Sequence, residues 1–150
     1  MAMTMKGEVA LSADRATVWA KLNDPEVLKA CIPGCQTLDR SGENGFSAVV
    51  KVKVGPVSAT FKGNVELQDL DPPNGYKISG SGEGGIAGFA KGGAVVRLSD
   101  AEGGGTLLTY DVEANVGGKI AQLGARLIDG VAKKNADMFF ENFAANVKAG

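Results

Sequence analysis

The chain of 150 residues contains no histidine. That absence removes the commonest general base near neutral pH, the commonest metal ligand and every Ser-His or Cys-His nucleophile arrangement. Cysteine is nearly as scarce. Cys31 and Cys35 are the only two, spaced C-x-x-x-C rather than C-x-x-C. Without histidine, two thiolates complete a tetrahedral zinc site only if carboxylates join them. They read as small, packed, reduced thiols, and no metal is expected. Charge of one sign is also missing: 16 Lys and Arg stand against 17 Asp and Glu, a net charge of −1. No run of about five or more like charges marks a nucleic-acid arm or a polybasic membrane patch. No apolar stretch approaches the roughly 20 residues of a membrane span. The start, Met1-Ala2-Met3-Thr4-Met5-Lys6, has no apolar signal core. A cytoplasmic protein is expected, peripheral at the inner membrane face only through a partner.

What is present is alternation. Residues 1–150 fit one domain, large enough to bury about two thirds of its unfolded surface without disulfides or metals. Lys6 to Leu11 predicts a first strand. Ser12 is placed to cap a short helix over Ala13–Leu22 with Val18, Trp19 and Leu22 on one face, and Asp24-Pro25 predicts a second, ended by Pro33-Gly34. From Thr37 to Val116 the dominant period is two. Breaks fall near Gly42–Gly45, Gly55-Pro56, Pro72–Gly75, Gly84–Gly88 and Gly103–Gly105, as in a meander of antiparallel hairpins. Even positions then form one apolar face: Ala48 to Val54, Ile78 to Gly82, Ala94 to Leu98, Leu108 to Ala114. Odd positions from Val57 to Leu67 join that face after the Gly55-Pro56 turn, while Lys51, Lys53, Lys62 and Glu66 point to water. Glu83, Asp111 and Glu113 fall on the wet phase as well.

The final third predicts one long amphipathic helix from Gly117-Gly118-Lys119 nearly to Gly150. Ile120, Leu123, Leu127, Val131, Met138, Phe139, Phe143 and Val147 form its apolar stripe. At roughly 1.5–3 kcal/mol for each fully buried side chain, packing outweighs the low helix propensity of Gly124 and Gly130, about 1 kcal/mol each. Lys133-Lys134 reads as a solvated helix face. The glycine-rich stretch from Ser79 to Gly93 matches G-x-G-x-x-G in letters at Gly80, Gly82 and Gly85. It leads into the strand Ala94–Leu98 rather than a helix, so the pyrophosphate site of a dinucleotide fold is excluded. Lys91 lacks the neighbours of a P-loop lysine. Two readings of this stretch stay open: a flexible bulged hairpin, or side-chain-free positions on the concave face of a curved sheet. The second leaves space at Gly80, Gly82, Gly88 and Gly92 for another side chain, water or an apolar ligand.

Strand, two short helices, six further antiparallel strands and a long C-terminal helix is the order of the helix-grip, START-like (SRPBCC) superfamily, an α+β fold. Four separated motifs go further: Val18-Trp19, Leu22 to Leu28 with Cys31-Ile32-Pro33-Gly34-Cys35, Val52 to Val57 with Phe61-x-Gly63, and Gly118 to Gly124. In this order the sequence from about residue 5 to 147 resembles the CoxG family of carbon monoxide dehydrogenase proteins. That resemblance implies a seven-stranded curved antiparallel sheet wrapped around the C-terminal helix. It also implies a small accessory protein of a molybdenum hydroxylase, binding an apolar molecule such as a quinone. Some relatives carry a C-terminal extension for membrane attachment; this sequence ends at Gly150, so anchoring by that route is not expected.

Three functional readings follow. In the first, a groove between the sheet and the first half of the long helix binds a quinone or other prenyl lipid, no other cofactor being required. Its walls would be Leu28, Ile32, Phe61, Ile78, Phe89, Val96, Tyr110, Leu123, Leu127 and Val131, and the Tyr110 hydroxyl or a backbone amide beside Gly88 would hold a carbonyl. Ten buried methylenes contribute about 8 kcal/mol gross, before association costs. In the second, the protein is an assembly or docking factor with no ligand role, and a large exposed apolar patch would favour it. In the third, it is a cyclase- or hydrolase-like enzyme, which needs inward carboxylates or bases that the predicted apolar face lacks.

Overall fold

The computed structural model describes residues 1–149; Gly150 lies outside them. The elements are β1 (Ala2–Leu11), α1 (Arg15–Leu22), α2 (Pro25–Cys31), β2 (Cys35–Arg40), β3 (Gly45–Val54), β4 (Val57–Asp71), β5 (Gly75–Glu83), β6 (Phe89–Asp100), β7 (Thr106–Gly117) and α3 (Ala125–Ala149). All seven strands form one antiparallel sheet in the order β1-β7-β6-β5-β4-β3-β2. Every pair except β1–β7 is a sequential hairpin, because the turns are short and carry the residues that tight turns need. At the β3–β4 turn, Gly55 takes a φ of 57° ahead of Pro56, and Val54 pairs directly with Val57.

The register carries the alternation into a single inner face. Val65 stands opposite Gly80, Ile78 opposite Ala94, Val96 opposite Tyr110 and Leu98 opposite Leu108. The expected strand phase therefore holds across β3–β7. Glu83, Asp111 and Glu113 are exposed on the other face.

Two corrections concern the helices. Asp14, not Ser12, caps α1, its carboxylate accepting the Thr17 N–H at 2.9 Å. That hydrogen bond holds the Asp14 carboxyl below the usual carboxylate range. The second helix begins as expected, with Asp24 accepting from Glu26 N–H and Pro25 in the first turn. The long helix begins at Ala125 rather than at residues 117–119. Lys119–Leu123 forms a separate 3-10 turn, bounded by Gly118 (φ 84°) and Gly124 (φ 98°). An α-helix cannot pass through a residue in that conformation, so the helical phase restarts after Gly124. Ile128 is buried as a result, whereas Leu127 and Met138, expected in the stripe, are 37% and 40% exposed.

The core divides in two. The larger cluster joins α1, α2 and the C-terminal half of α3 to the sheet through Leu11, Val18, Leu22, Leu38, Phe46, Leu67, Tyr76, Leu98, Leu108, Phe143 and Val147, among others. Polar contacts close that end: Thr106 donates to Ala13 O at 2.7 Å, Arg15 pairs with Asp100 at 2.8 Å, Lys21 reaches Asn146 Oδ1 at 2.8 Å, and Asn142 donates to Cys31 O at 3.1 Å. The smaller cluster, Val54, Ala87, Val116, Ile120 and Ile128, lies at the opposite end, under the hairpin turns and the start of α3.

Candidate ligand-binding cavity

Between α2, the middle of α3 and the inner sheet face lies a cavity of about 250 Å³. Its walls are Leu22, Leu28, Ile32, Leu38, Phe46, Val65, Leu67, Tyr76, Ile78, Val96, Leu108, Phe139 and Phe140. Alternation supplies the sheet side: the residues from β5, β6 and β7 all belong to the inner phase. The helix side is held rigid by ring packing, Phe139 meeting Phe140 edge-on at 5.0 Å and stacking on Phe143 at 5.7 Å. Tyr76 carries the one hydrogen-bonding side chain in the lining, and Trp19 of α1 packs edge-on against it at 5.3 Å. Burial pushes the Tyr76 phenol well above its ordinary range, so at neutral pH it is a neutral hydroxyl.

A second space adjoins the first at Ile78, which lines both. Beyond it, Gly80 and Gly82 of β5, Ala90, Gly92 and Ala94 of β6, and Val112 and Ala114 of β7 floor an open trough of about 290 Å³ on the inner face. Gly80, Gly82 and Gly92 all line this trough, as expected for side-chain-free positions on the concave face, but only at Gly82 would a Cβ meet ordinary contacts, whereas at Gly92 it would stand 2.2 Å from Glu113 O. Gly88 belongs elsewhere. It packs backbone to backbone on Gly117 and Gly118, where a Cβ would stand 2.1 Å from Gly117 O. Wider hollows on the outer face are floored by polar side chains such as Asn64, Glu66, Ser79 and Lys91 and are open to water.

The predicted wall residues are thus divided. Leu28, Ile32, Ile78 and Val96 meet in the cavity. Phe61, Leu123 and Val131 pack against the smaller cluster at the far end. Leu127 lies with Leu123 and Val131 in an open surface groove. Phe89, 49% exposed, is on the outer phase opposite Glu83 and Gly117. Tyr110 stacks on Phe140 at 5.0 Å, and its hydroxyl lies over Gly7 of β1, where a Cβ would stand 2.5 Å from it. That hydroxyl is therefore at the β1 side of the sheet, outside the cavity lining. The sequence reading misses Tyr76, Phe46 and Phe140 as walls. For Tyr76 a signal exists, since it precedes Ile78 by one step of the same alternation; Phe140 depends on where α3 crosses the sheet.

Among the described residues no group of three or more acidic or cysteine side chains gathers into a metal site. No carboxylate lines the cavity. Both thiols are held up by burial, Cys31 at 2% exposure. Among the described residues no helix is long and apolar enough to cross a membrane.

The same arrangement recurs in solved structures. A conserved protein from Geobacillus kaustophilus superposes with a TM-score of 0.92 at 34% identity, over 98% of this chain and 96% of that one. A START superfamily protein from Mycobacterium smegmatis reaches 0.72 at 14% identity, covering 97% of both chains. The Zhui aromatase/cyclase from Streptomyces sp. R1128 reaches 0.71 at 13% identity, over 99% of this chain and 94% of that one. The latter two share the fold alone. No curated protein matches the chain in sequence. The START-like sheet and helix, together with a family model that matches residues 7–148, show that the chain belongs to the carbon monoxide dehydrogenase CoxG family.

Proposed function

We propose that the protein is a non-catalytic accessory that binds an apolar small molecule, a quinone or other prenyl lipid, for a molybdenum hydroxylase of the carbon monoxide dehydrogenase type. The observation that carries this reading is the half-open cavity with one phenol in an otherwise hydrocarbon wall. A neutral Tyr76 hydroxyl suits a carbonyl oxygen as acceptor. The wall offers no base or carboxylate to move a proton, which supports binding over chemistry even though a fold neighbour is an aromatase/cyclase. The tie to a molybdenum hydroxylase rests on the family name.

A docking role is favoured by a separate observation. Ile86 is 90% exposed at the turn before β6, with half-exposed Phe89 close by and Leu127 against the Gly55 turn. Apolar side chains at the far end of the sheet suit contact with a partner protein.

Native mass spectrometry of the purified protein, then organic extraction, tests the first reading. A stoichiometric prenyl quinone or related lipid is expected. A protein that is empty and takes up no added quinone would leave docking as the surviving account.

A further inference from the structure

We propose that the glycine-floored trough is the subsite for a linear apolar chain, whose ring-bearing end occupies the cavity. This assignment rests on the binding reading above. The cavity, about 250 Å³, suits one or two rings rather than a ring with a long tail, since an apolar cavity of about 150 Å³ accommodates benzene. A longer ligand must leave by some route. From Ile78, which lines both spaces, the trough runs along Gly80 and Gly82, about 13 Å at roughly 3.3 Å per residue.

Its floor is low on three adjoining strands at once. Gly80 pairs with Gly92, Gly92 with Ala114, and Gly82 with both Gly63 and Ala90. On α3, half-buried Ala132, Asn135 and Ala136 lie between Ile128 of the smaller cluster and Phe139 beside the larger one. The sheet therefore lacks bulk between the two core clusters. A chain laid there covers the apolar floor and bridges the clusters. The trough also points to the turn end, so the ring is the deep end of the ligand and the chain terminus the shallow end.

The test uses naphthoquinone bearing no chain, a pentyl chain or a decyl chain, followed by calorimetry and by quenching of Trp19, the one tryptophan. Trp19 touches Tyr76 in the cavity wall, so quenching reports a ring lodged there. Each methylene covered by the trough is expected to tighten binding by about 2- to 4-fold, with quenching at saturation equal across the series. Gly82→Leu should leave the parent naphthoquinone's affinity unchanged and abolish the gain with chain length. A Cβ at Gly82 meets its neighbours at 3.7 to 4.0 Å, ordinary contact distances. Ala114→Leu, entering from the β7 side, should act alike and guards against a folding defect in the first variant. Affinity independent of chain length, or a gain that survives both substitutions, overturns the trough assignment and leaves cavity binding standing. Failure of the parent ring itself to bind or quench overturns the cavity reading, and the trough with it.

Discussion

Tyr76 concentrates the polar chemistry of the cavity in one atom. A ligand carbonyl held by its hydroxyl gains a net hydrogen bond of about 0.5–1.5 kcal/mol, so Tyr76→Phe should weaken naphthoquinone binding by about 2- to 12-fold. The matching hydrocarbon should bind the two forms equally; an equal loss for both compounds would show that the ring, not the hydroxyl, matters. The same burial makes alkaline pH a probe of the fold. Tyr76, Cys31 and Cys35 all ionise above their ordinary values of 10.0 and 9.0 because burial disfavours the charged forms. The unfolded chain loses those protons first. Their contribution to stability is complete below about pH 9 and declines as pH rises through the raised values. Urea midpoints should accordingly be flat up to about pH 9 and fall above it. Cys31→Ala and Tyr76→Phe should each flatten the fall, and an unchanged slope in both would remove these groups from the account. Tyrosinate absorbance from Tyr76 should appear only with unfolding.

At the level of elements, two glycines of the last third differ in conformation and make opposite predictions. Gly130 is inside α3 with open space around the position of a Cβ, so Gly130→Ala should stabilise by about 1 kcal/mol. Gly124 also has open space, but its φ of 98° and ψ of 153° suit glycine alone. Gly124→Ala should cost about 1–3 kcal/mol. At about 2–4 °C per kcal/mol for a chain of this size, a thermal melt separates the two signs. Stabilisation by both would mean that α3 runs through Gly124 after all. This break also marks where the sequence stops being legible. Alternation identifies the inner face of the strands, down to Val96 and Leu98, because a period of two admits only two phases. A helical stripe admits several. Starting it at Ile120 places Leu127 inward and leaves Ile128 out, and only the backbone at Gly124 decides between them. The cavity is half legible for a related reason. Leu28, Ile32, Ile78 and Val96 follow from local pattern, whereas Phe140 and Phe46 become walls only through the crossing of α3 over distant strands.

Taken as a whole, the molecule is stabilised unequally along its length. The end under α1 and α2 holds the larger cluster, the stacked Phe139 and Phe143, and the polar ties from Arg15, Lys21, Thr106 and Asn142. The end under the Gly55, Gly84–Gly88 and Gly118–Gly124 turns has five buried core residues. Local opening costs least where little apolar surface is buried. On the binding reading proposed above, a ligand for the cavity enters from the turn end, along the trough, rather than through the tied end. Hydrogen exchange tests this directly. Without ligand, amides around 55–56, 84–88 and 118–124 should exchange well ahead of those in α1, β6 and the second half of α3. With decyl naphthoquinone at about 100 times its dissociation constant, opening of the turn end should be suppressed up to about 100-fold, while α1 and α2 change little. Slowing confined to α1 and α2 would place the entrance at the opposite end of the sheet and would make the short helices, not the turns, the moving parts.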